Sequence, residues 1–348
     1  MPENRLAADL DHILEHTHDL WDELRGERIF ITGGTGFFGF WLLESFAWAN
    51  ERLGLGTKAL VLTRNLEAFR KKAPHLAANP SIHFHPGDMR SFEFPQGSFS
   101  HIIHAATETN PQGNQINPLD MFEANISGTG RVLELANRCR ARKLLFTSSG
   151  AIYGNQPPEI THIPEDYSGA PETTDTTTAY GQSKRTSEFL CVAAGSSGLQ
   201  AKIARCFAFV GPRLPLDANY AIGNFIRDAL QGRSILVNGD GTPYRSYLYA
   251  ADLVIWLWTI LFHGQSCRPY NVGSDEALNI AELAQVVKNE VAPEVPITVA
   301  GNTIPSKIVQ RYVPSIERGR SELGLQVRIP LREAIQRTAS WYTPIISK

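Results

Sequence analysis

The sequence is poor in cysteine, nearly balanced in charge and free of long apolar runs. Its four cysteines, Cys139, Cys191, Cys206 and Cys267, are scattered through 348 residues without paired spacing. That excludes a disulfide framework and a thiolate zinc site, and it fits a reducing cytoplasm. Lysine and arginine number 33 against 35 aspartates and glutamates, a formal net charge of -2. With no basic block, neither nucleic acid nor an anionic membrane surface is expected as a partner. A phosphorylated small molecule stays open, because a few placed arginines suffice for it. No apolar stretch reaches the ~20 residues of a membrane span. Asp9, Asp11, Glu15 and Asp19 interrupt the N-terminal apolar residues and argue against a secretory signal. The rest, 43% apolar and 20% charged, is the composition of a globular chain able to bury a sizeable core.

Leu6, Leu10, Ile13, Leu14, Trp21 and Leu24 fall mostly at helical spacing, which predicts a helical extension over residues 1–26. The apolar strand Arg28-Ile29-Phe30-Ile31-Thr32 follows. Further apolar runs at 59–62, 82–84, 102–106, 144–147 and 201–209 alternate with helix-like segments at 37–53, 119–140 and 179–194. Such alternation predicts an α/β fold with a Rossmann-type doubly wound parallel sheet over residues 27–210. Gly211-Pro212-Arg213-Leu214-Pro215 then breaks the pattern. Shorter elements follow, with helices expected at 220–231, 250–263, 279–291 and 330–342. They predict a smaller C-terminal α/β lobe over 211–348 that binds substrate at the sheet's carboxyl edge, some of its elements being free to return to the first domain.

Two motifs carry chemistry. Gly33-Gly34-Thr35-Gly36-Phe37-Phe38-Gly39 lies directly after a strand and opens a helix. Glycines at 33, 36 and 39 allow a tight turn, close approach of a pyrophosphate and close helix–sheet packing, and the helix N-terminus offers free N–H groups to phosphate. The second strand ends in Thr63-Arg64-Asn65. An arginine here suits a ribose 2′-phosphate where an acidic residue would suit a free 2′-hydroxyl, so NADP(H) is favoured over NAD(H). The second motif is Tyr180-Gly181-Gln182-Ser183-Lys184, four residues apart on one helix face. An ammonium beside a phenol favours the phenolate and brings the tyrosine toward acid–base use. Ser149, at the end of the 144–147 strand, can hydrogen-bond the substrate oxygen that Tyr180 protonates or deprotonates.

The glycine turn, the Ser149 region, Tyr180 with Lys184 and the C-terminal elements together resemble the extended short-chain dehydrogenase/reductases, specifically the NAD-dependent epimerase/dehydratase group, over residues 27–343. The resemblance implies a catalytic set of Ser149, Tyr180 and Lys184. It implies cofactor contacts at Gly33, Thr35, Gly36, Phe37, Phe38, Gly39, Arg64, Asp88, Met89, Ala105, Ala106 and Phe207, besides Tyr180 and Lys184. It also implies a nucleotide-diphosphate sugar held by Ser149, Tyr153, Arg245 and Arg311, with Asn224 as a substitute contact because Ala208 stands where the family often has asparagine. A homodimer through helices 119–140 and 179–194 is implied as well.

Departures from the family pattern narrow the reaction. The 4,6-dehydratases place an Asp–Glu pair after the catalytic hydroxyl, and the uronate decarboxylases carry a glutamate. This chain has Gly150 and Ala151, which do no acid–base chemistry. The expectation is therefore hydride transfer at a sugar carbon, C4 foremost, as a 4-epimerase or a 4-keto reductase. A dehydratase or decarboxylase with atypical acid–base residues is the alternative, and a non-catalytic dinucleotide sensor is the alternative of another class. His12-Ile13-Leu14-Glu15-His16 has the spacing of an inverted zinc-protease motif. It stands ahead of the main fold among leucines of buried type, so packing is expected there and no metal. Trp256, Trp258 and Phe262, at helical spacing, are expected to pack.

Overall fold

The structure is a computed structural model that describes residues 4–109, 116–302 and 308–346. It opens with α1 (Ala7–Thr17), which continues as a tighter 3-10 turn over His18–Leu24. The helical extension expected over 1–26 thus changes winding at Thr17, whose hydroxyl bonds back to the Ile13 carbonyl and accepts from Trp21 Nε1. Strands and helices then alternate: β1 (Arg28–Thr32), α2 (Phe37–Arg52), β2 (Lys58–Thr63), the short α3 (Leu66–Lys72) and α4 (Pro74–Ala77), β3 (Ile82–Pro86), β4 (His101–His104), α5 (Pro118–Cys139), β5 (Lys143–Ser149), α6 (Ala179–Gly195) and β6 (Gln200–Cys206). Beyond them run β7 (Phe209–Val210), α7 (Ala221–Leu230), β8 (Ile235–Val237), β9 (Tyr244–Arg245), β10 (Leu248–Tyr249), α8 (Ala250–His263), β11 (Pro269–Val272), β12 (Leu278–Asn279), α9 (Ile280–Val291), β13 (Ile297–Val299), β14 (Arg311–Tyr312), α10 (Glu317–Leu323) and α11 (Leu331–Ile346).

Seven strands form one parallel sheet in the order β11-β6-β5-β4-β1-β2-β3. Its central strands read as continuous apolar runs because helices cover both faces. Ile29, Phe30, Ile31, Leu144, Leu145 and Phe146 are all buried. The order reverses between β1 and β4, and a ligand crevice opens at the carboxyl ends of strands at such a point. β11 lies well beyond residue 210 yet pairs with β6, so the chain comes back to the main sheet. The shorter strands make a three-stranded sheet, β12-β9-β14, and two strand pairs, β10-β7 and β13-β8.

The extension packs into the core. Leu6, Leu10, Ile13, Trp21 and Leu24 are buried, and the Trp21 ring lies 4.7 Å from that of Trp258. Trp258 belongs to α8, which is buried on every side from Ala250 to Phe262, so its aromatic residues are core. Among the described residues no helix is long and apolar enough to cross a membrane.

Candidate active site

The three glycines of the first turn have three different surroundings. Gly33 adopts a left-handed φ of 73° and lies so close to the segment after β4 that a Cβ would come within 2.5 Å of the Ala105 and Ala106 backbone. A Cβ on Gly39 would fall 2.2 Å from the Gly33 carbonyl oxygen, which is why the first turn of α2 can sit on the loop. Gly36 differs: a Cβ there would meet only the Gly33 oxygen at 3.4 Å. Gly36 is exposed and, having no side chain, gives α2 no side-chain cap. A helix N-terminus capped by glycine, with its N–H groups free of a side-chain cap, fits a pyrophosphate. Thr35 and Phe37 flank this opening half-buried, and Phe38 packs edge-on to Phe209 at 5.0 Å. Ala105 and Ala106 donate their backbone N–H groups to Thr32, to its carbonyl at 3.2 Å and its hydroxyl at 3.1 Å, and so hold the crevice floor.

At the end of β2 the Arg64 guanidinium is two-thirds exposed, 3.3 Å from Glu108 and 4.0 Å from Asp88. Asp88 is gripped at 2.7 Å by Arg90, which holds its carboxyl below the usual range. Met89 is buried against Gly128, where a Cβ would approach its sulfur to 2.9 Å. Asn125 ties the loop after β4 to α6: its Oδ1 accepts from the Glu108 N–H at 2.7 Å, and its Nδ2 donates to Ser183 Oγ at 3.0 Å.

Ser149, Tyr180 and Lys184 converge at the end of β5. The Ser149 Oγ accepts from the Ala151 N–H at 3.1 Å and lies near enough to the Tyr180 phenol to counter in part the effect of burial on it. Lys184 is 2% exposed, and its Nζ donates to the Thr147 carbonyl at 2.8 Å. Burial lowers that ammonium to about 8. The expected acidification of Tyr180 by Lys184 is corrected here. Burial pushes the Tyr180 phenol above its ordinary value, and the Ser149 hydrogen bond offsets this only in part. The reason is geometric: the ammonium sits 5.9 Å from the centre of the phenol ring and is turned onto a backbone carbonyl.

Tyr153 is a second correction. It is 1% exposed; its hydroxyl donates to Asn271 Oδ1 at 2.8 Å and accepts from Arg205 at 2.8 Å, while Arg205 is paired with Glu188. A hydroxyl so engaged holds β5 to β6 and β11 and is not free for a sugar. Phe207 packs between the rings of Tyr153 and Tyr312, 6.3 and 4.7 Å away. Arg245 and Arg311, far apart in sequence, come onto neighbouring strands, with Arg311 opposite Tyr244 and Tyr312 opposite Arg245. Both are half-buried, and Arg311 lies over the Tyr244 ring at 4.1 Å. Asn224 accepts from Arg227 and lines a cleft of about 380 Å³ together with Asn238, Gly239, Gly241 and Pro243.

Sequence reasoning missed Tyr312. Its hydroxyl lies 3.4 Å from Ser149 Oγ and 3.5 Å from the Cys206 carbonyl, which puts a second phenol beside Tyr180. Burial pushes it up to about 12. Its place after Arg311 gave no signal, since successive strand residues face opposite sides and Tyr312 shares its face with Arg245.

The NAD dependent epimerase/dehydratase family model matches residues 29–273. UDP-glucuronic acid decarboxylase 1 of Arabidopsis thaliana is 31% identical over 314 residues, which span 90% of this chain and 69% of that protein. The UDP-glucose 4-epimerase of Thermotoga maritima superimposes with a TM-score of 0.76 at 19% identity, covering 92% of this chain and 99% of that one. The dTDP-glucose 4,6-dehydratase of Bacillus anthracis, in complex with NAD, gives 0.74 at 19% identity, covering 91% and 97%. The chain belongs to the NAD-dependent epimerase/dehydratase family and is an enzyme of the extended short-chain dehydrogenase/reductase type.

Proposed function

We propose that this enzyme moves hydride at C4 of a nucleotide-diphosphate sugar, as a 4-epimerase or a 4-keto reductase. The observation that carries the reading is the end of β5. Ser149, Tyr180 and Lys184 meet there, whereas Gly150 and Ala151 supply no acid or base. The Phe207 ring lies 2.7 Å from where a Cβ on Gly150 would sit, so any side chain at 150 would have to displace that ring. A bound nicotinamide dinucleotide supplies the hydride acceptor and donor. Ser149 orients the sugar oxygen. Tyr180, whose raised phenol keeps its proton at neutral pH, is poised to give that proton to a C4 ketone, the step with which a 4-keto reductase begins and a 4-epimerase ends. Lys184 would hold the nicotinamide ribose, and Arg245, on the strand face it shares with Tyr312, would supply countercharge to the diphosphate, whereas the register turns Arg311 to the opposite face with Tyr244.

Arg64 supports a preference for NADP(H), since a 2′-phosphate can draw its guanidinium from Glu108. A homodimer is supported by apolar side chains left exposed on α5 and α6, Leu119 at 59% and Phe189 at 70%. The four cysteines are all free, in keeping with a reducing cytoplasm.

The decarboxylase relatives favour a second reading, in which the same C4 oxidation precedes loss of carbon dioxide from a uronic acid. A panel of nucleotide sugars and their 4-keto forms, incubated with NAD(H) or NADP(H) and followed by mass spectrometry and NMR, separates the two. A C4 epimer or a reduced 4-keto sugar is expected. Carbon dioxide released from UDP-glucuronic acid would establish the second reading, and loss of water would overturn both.

A further inference from the structure

The histidines of α1 lie outside the candidate active site. His12, Glu15 and His16 share one helix face, and their ligand atoms all lie within 4.8 Å of one another. The two imidazole centroids are 4.5 Å apart. His16 Nδ1 is 2.8 Å from the His12 carbonyl, an oxygen that can only accept. The proton therefore sits on Nδ1, and Nε2 of the neutral ring keeps its lone pair, the arrangement that orients metal-binding imidazoles.

A second observation comes from α8. Asp252 is 0% exposed, and its Oδ2 accepts from the Arg328 and Ile329 N–H groups at 2.9 and 3.0 Å. Among the described residues its Oδ1 has no hydrogen-bond partner, and it faces His12 Nε2 at 3.8 Å, a nitrogen likewise buried and without a hydrogen bond there. An unpaired carboxylate oxygen in an interior is unfavourable and calls for a positive charge nearby. Beside the cluster, a cleft of about 250 Å³ lined by Glu15, His16, Asp19, His263 and Arg328 gives access from solvent.

We propose that His12, Glu15 and His16 form a divalent-cation site of the zinc type, with Asp252 as the buried acidic group at its inner end. Two imidazoles and a carboxylate make a zinc set, whereas magnesium and calcium prefer oxygen throughout. Two acidic groups balance the charge of the ion. The ion would fix the extension to α8, so its effect falls on stability and leaves turnover alone.

Zinc chloride titrated into the full chain without a histidine tag, followed by calorimetry and thermal melting, tests this. One zinc per chain is expected at micromolar affinity or tighter. A hundredfold excess over Kd should raise Tm by roughly 3–5 °C, with no response to magnesium. His16→Gln and Glu15→Gln alter groups on the solvent side and should each weaken binding at least ~10-fold without lowering the metal-free Tm. Absence of saturable zinc binding, or affinity unchanged in His16→Gln, would overturn the site and leave His12 and Asp252 as a packing pair.

Discussion

Replacing Lys184 with methionine should make the protein more stable at neutral pH while stopping its chemistry. Lys184 is 2% exposed, and burial lowers its ammonium from 10.5 to about 8. The unfolded chain holds this proton up to about pH 10.5 and the folded chain releases it near 8, so holding the charge opposes folding below pH 8. That opposition fades as pH rises from 8 to 10.5. A drop of about 2.5 at about 1.4 kcal/mol each amounts to ~3 kcal/mol at pH 7. Methionine keeps the apolar stem and removes the charge, at the loss of the bond to the Thr147 carbonyl, about 1 kcal/mol. The net gain is about 2 kcal/mol at pH 7, shrinking to about 1 kcal/mol at pH 9. Urea unfolding followed by circular dichroism at both pH values measures it, and turnover in the same variant should fall at least ~100-fold. A variant less stable than the parent at pH 7, or a gain that does not shrink with pH, would refute the electrostatic reasoning.

Other consequences follow from the glycine turn and from His104. Gly36→Ala should leave Tm unchanged and weaken dinucleotide binding at least ~10-fold by fluorescence titration, because its Cβ points into the space a pyrophosphate needs. Gly39→Ala should instead destabilise the fold by roughly 2–3 kcal/mol, its Cβ meeting backbone at 2.2 Å; equal behaviour of the two variants would contradict the separate roles. His104, buried between the hydroxyls of Thr32 and Thr129, is lowered by burial to about 3. Its neutral form contributes fully above about pH 6.5, and the contribution is lost as pH falls toward 3, about 2 kcal/mol of it by pH 5. Urea unfolding of His104→Gln at pH 7.5 and 5 should show that much less acid sensitivity than the parent; an identical loss in both would remove His104 as a cause.

The layout of the sheet was legible because it is written in local signals. Glycine after β1 marks a turn, and the periods of α2, α5 and α6 are long enough to be read within one or two residues of their ends. Features built from distant residues were not legible. That elements beyond 210 could return to the sheet was expected, but that β11 is the one depends on a pairing with β6 that no local pattern records. Tyr153 looked available because its place in the strand-end motif says nothing of Asn271 and Arg205, which bind its hydroxyl. The acidity of Tyr180 was misjudged for a similar reason. Four-residue spacing puts Lys184 on the same helix face, but the rotamer that sends its ammonium to Thr147 is set by β5. Tyr312 reaches Ser149 through β14, a two-residue strand too short to show any period.

The central claim is that Tyr180 transfers the proton that accompanies hydride movement. The direct test is kcat of Tyr180→Phe on a nucleotide sugar turned over by the parent, with dinucleotide affinity measured alongside. A fall in kcat of about 10²–10⁴-fold with unchanged dinucleotide affinity is predicted. Undiminished kcat in this variant would contradict the account.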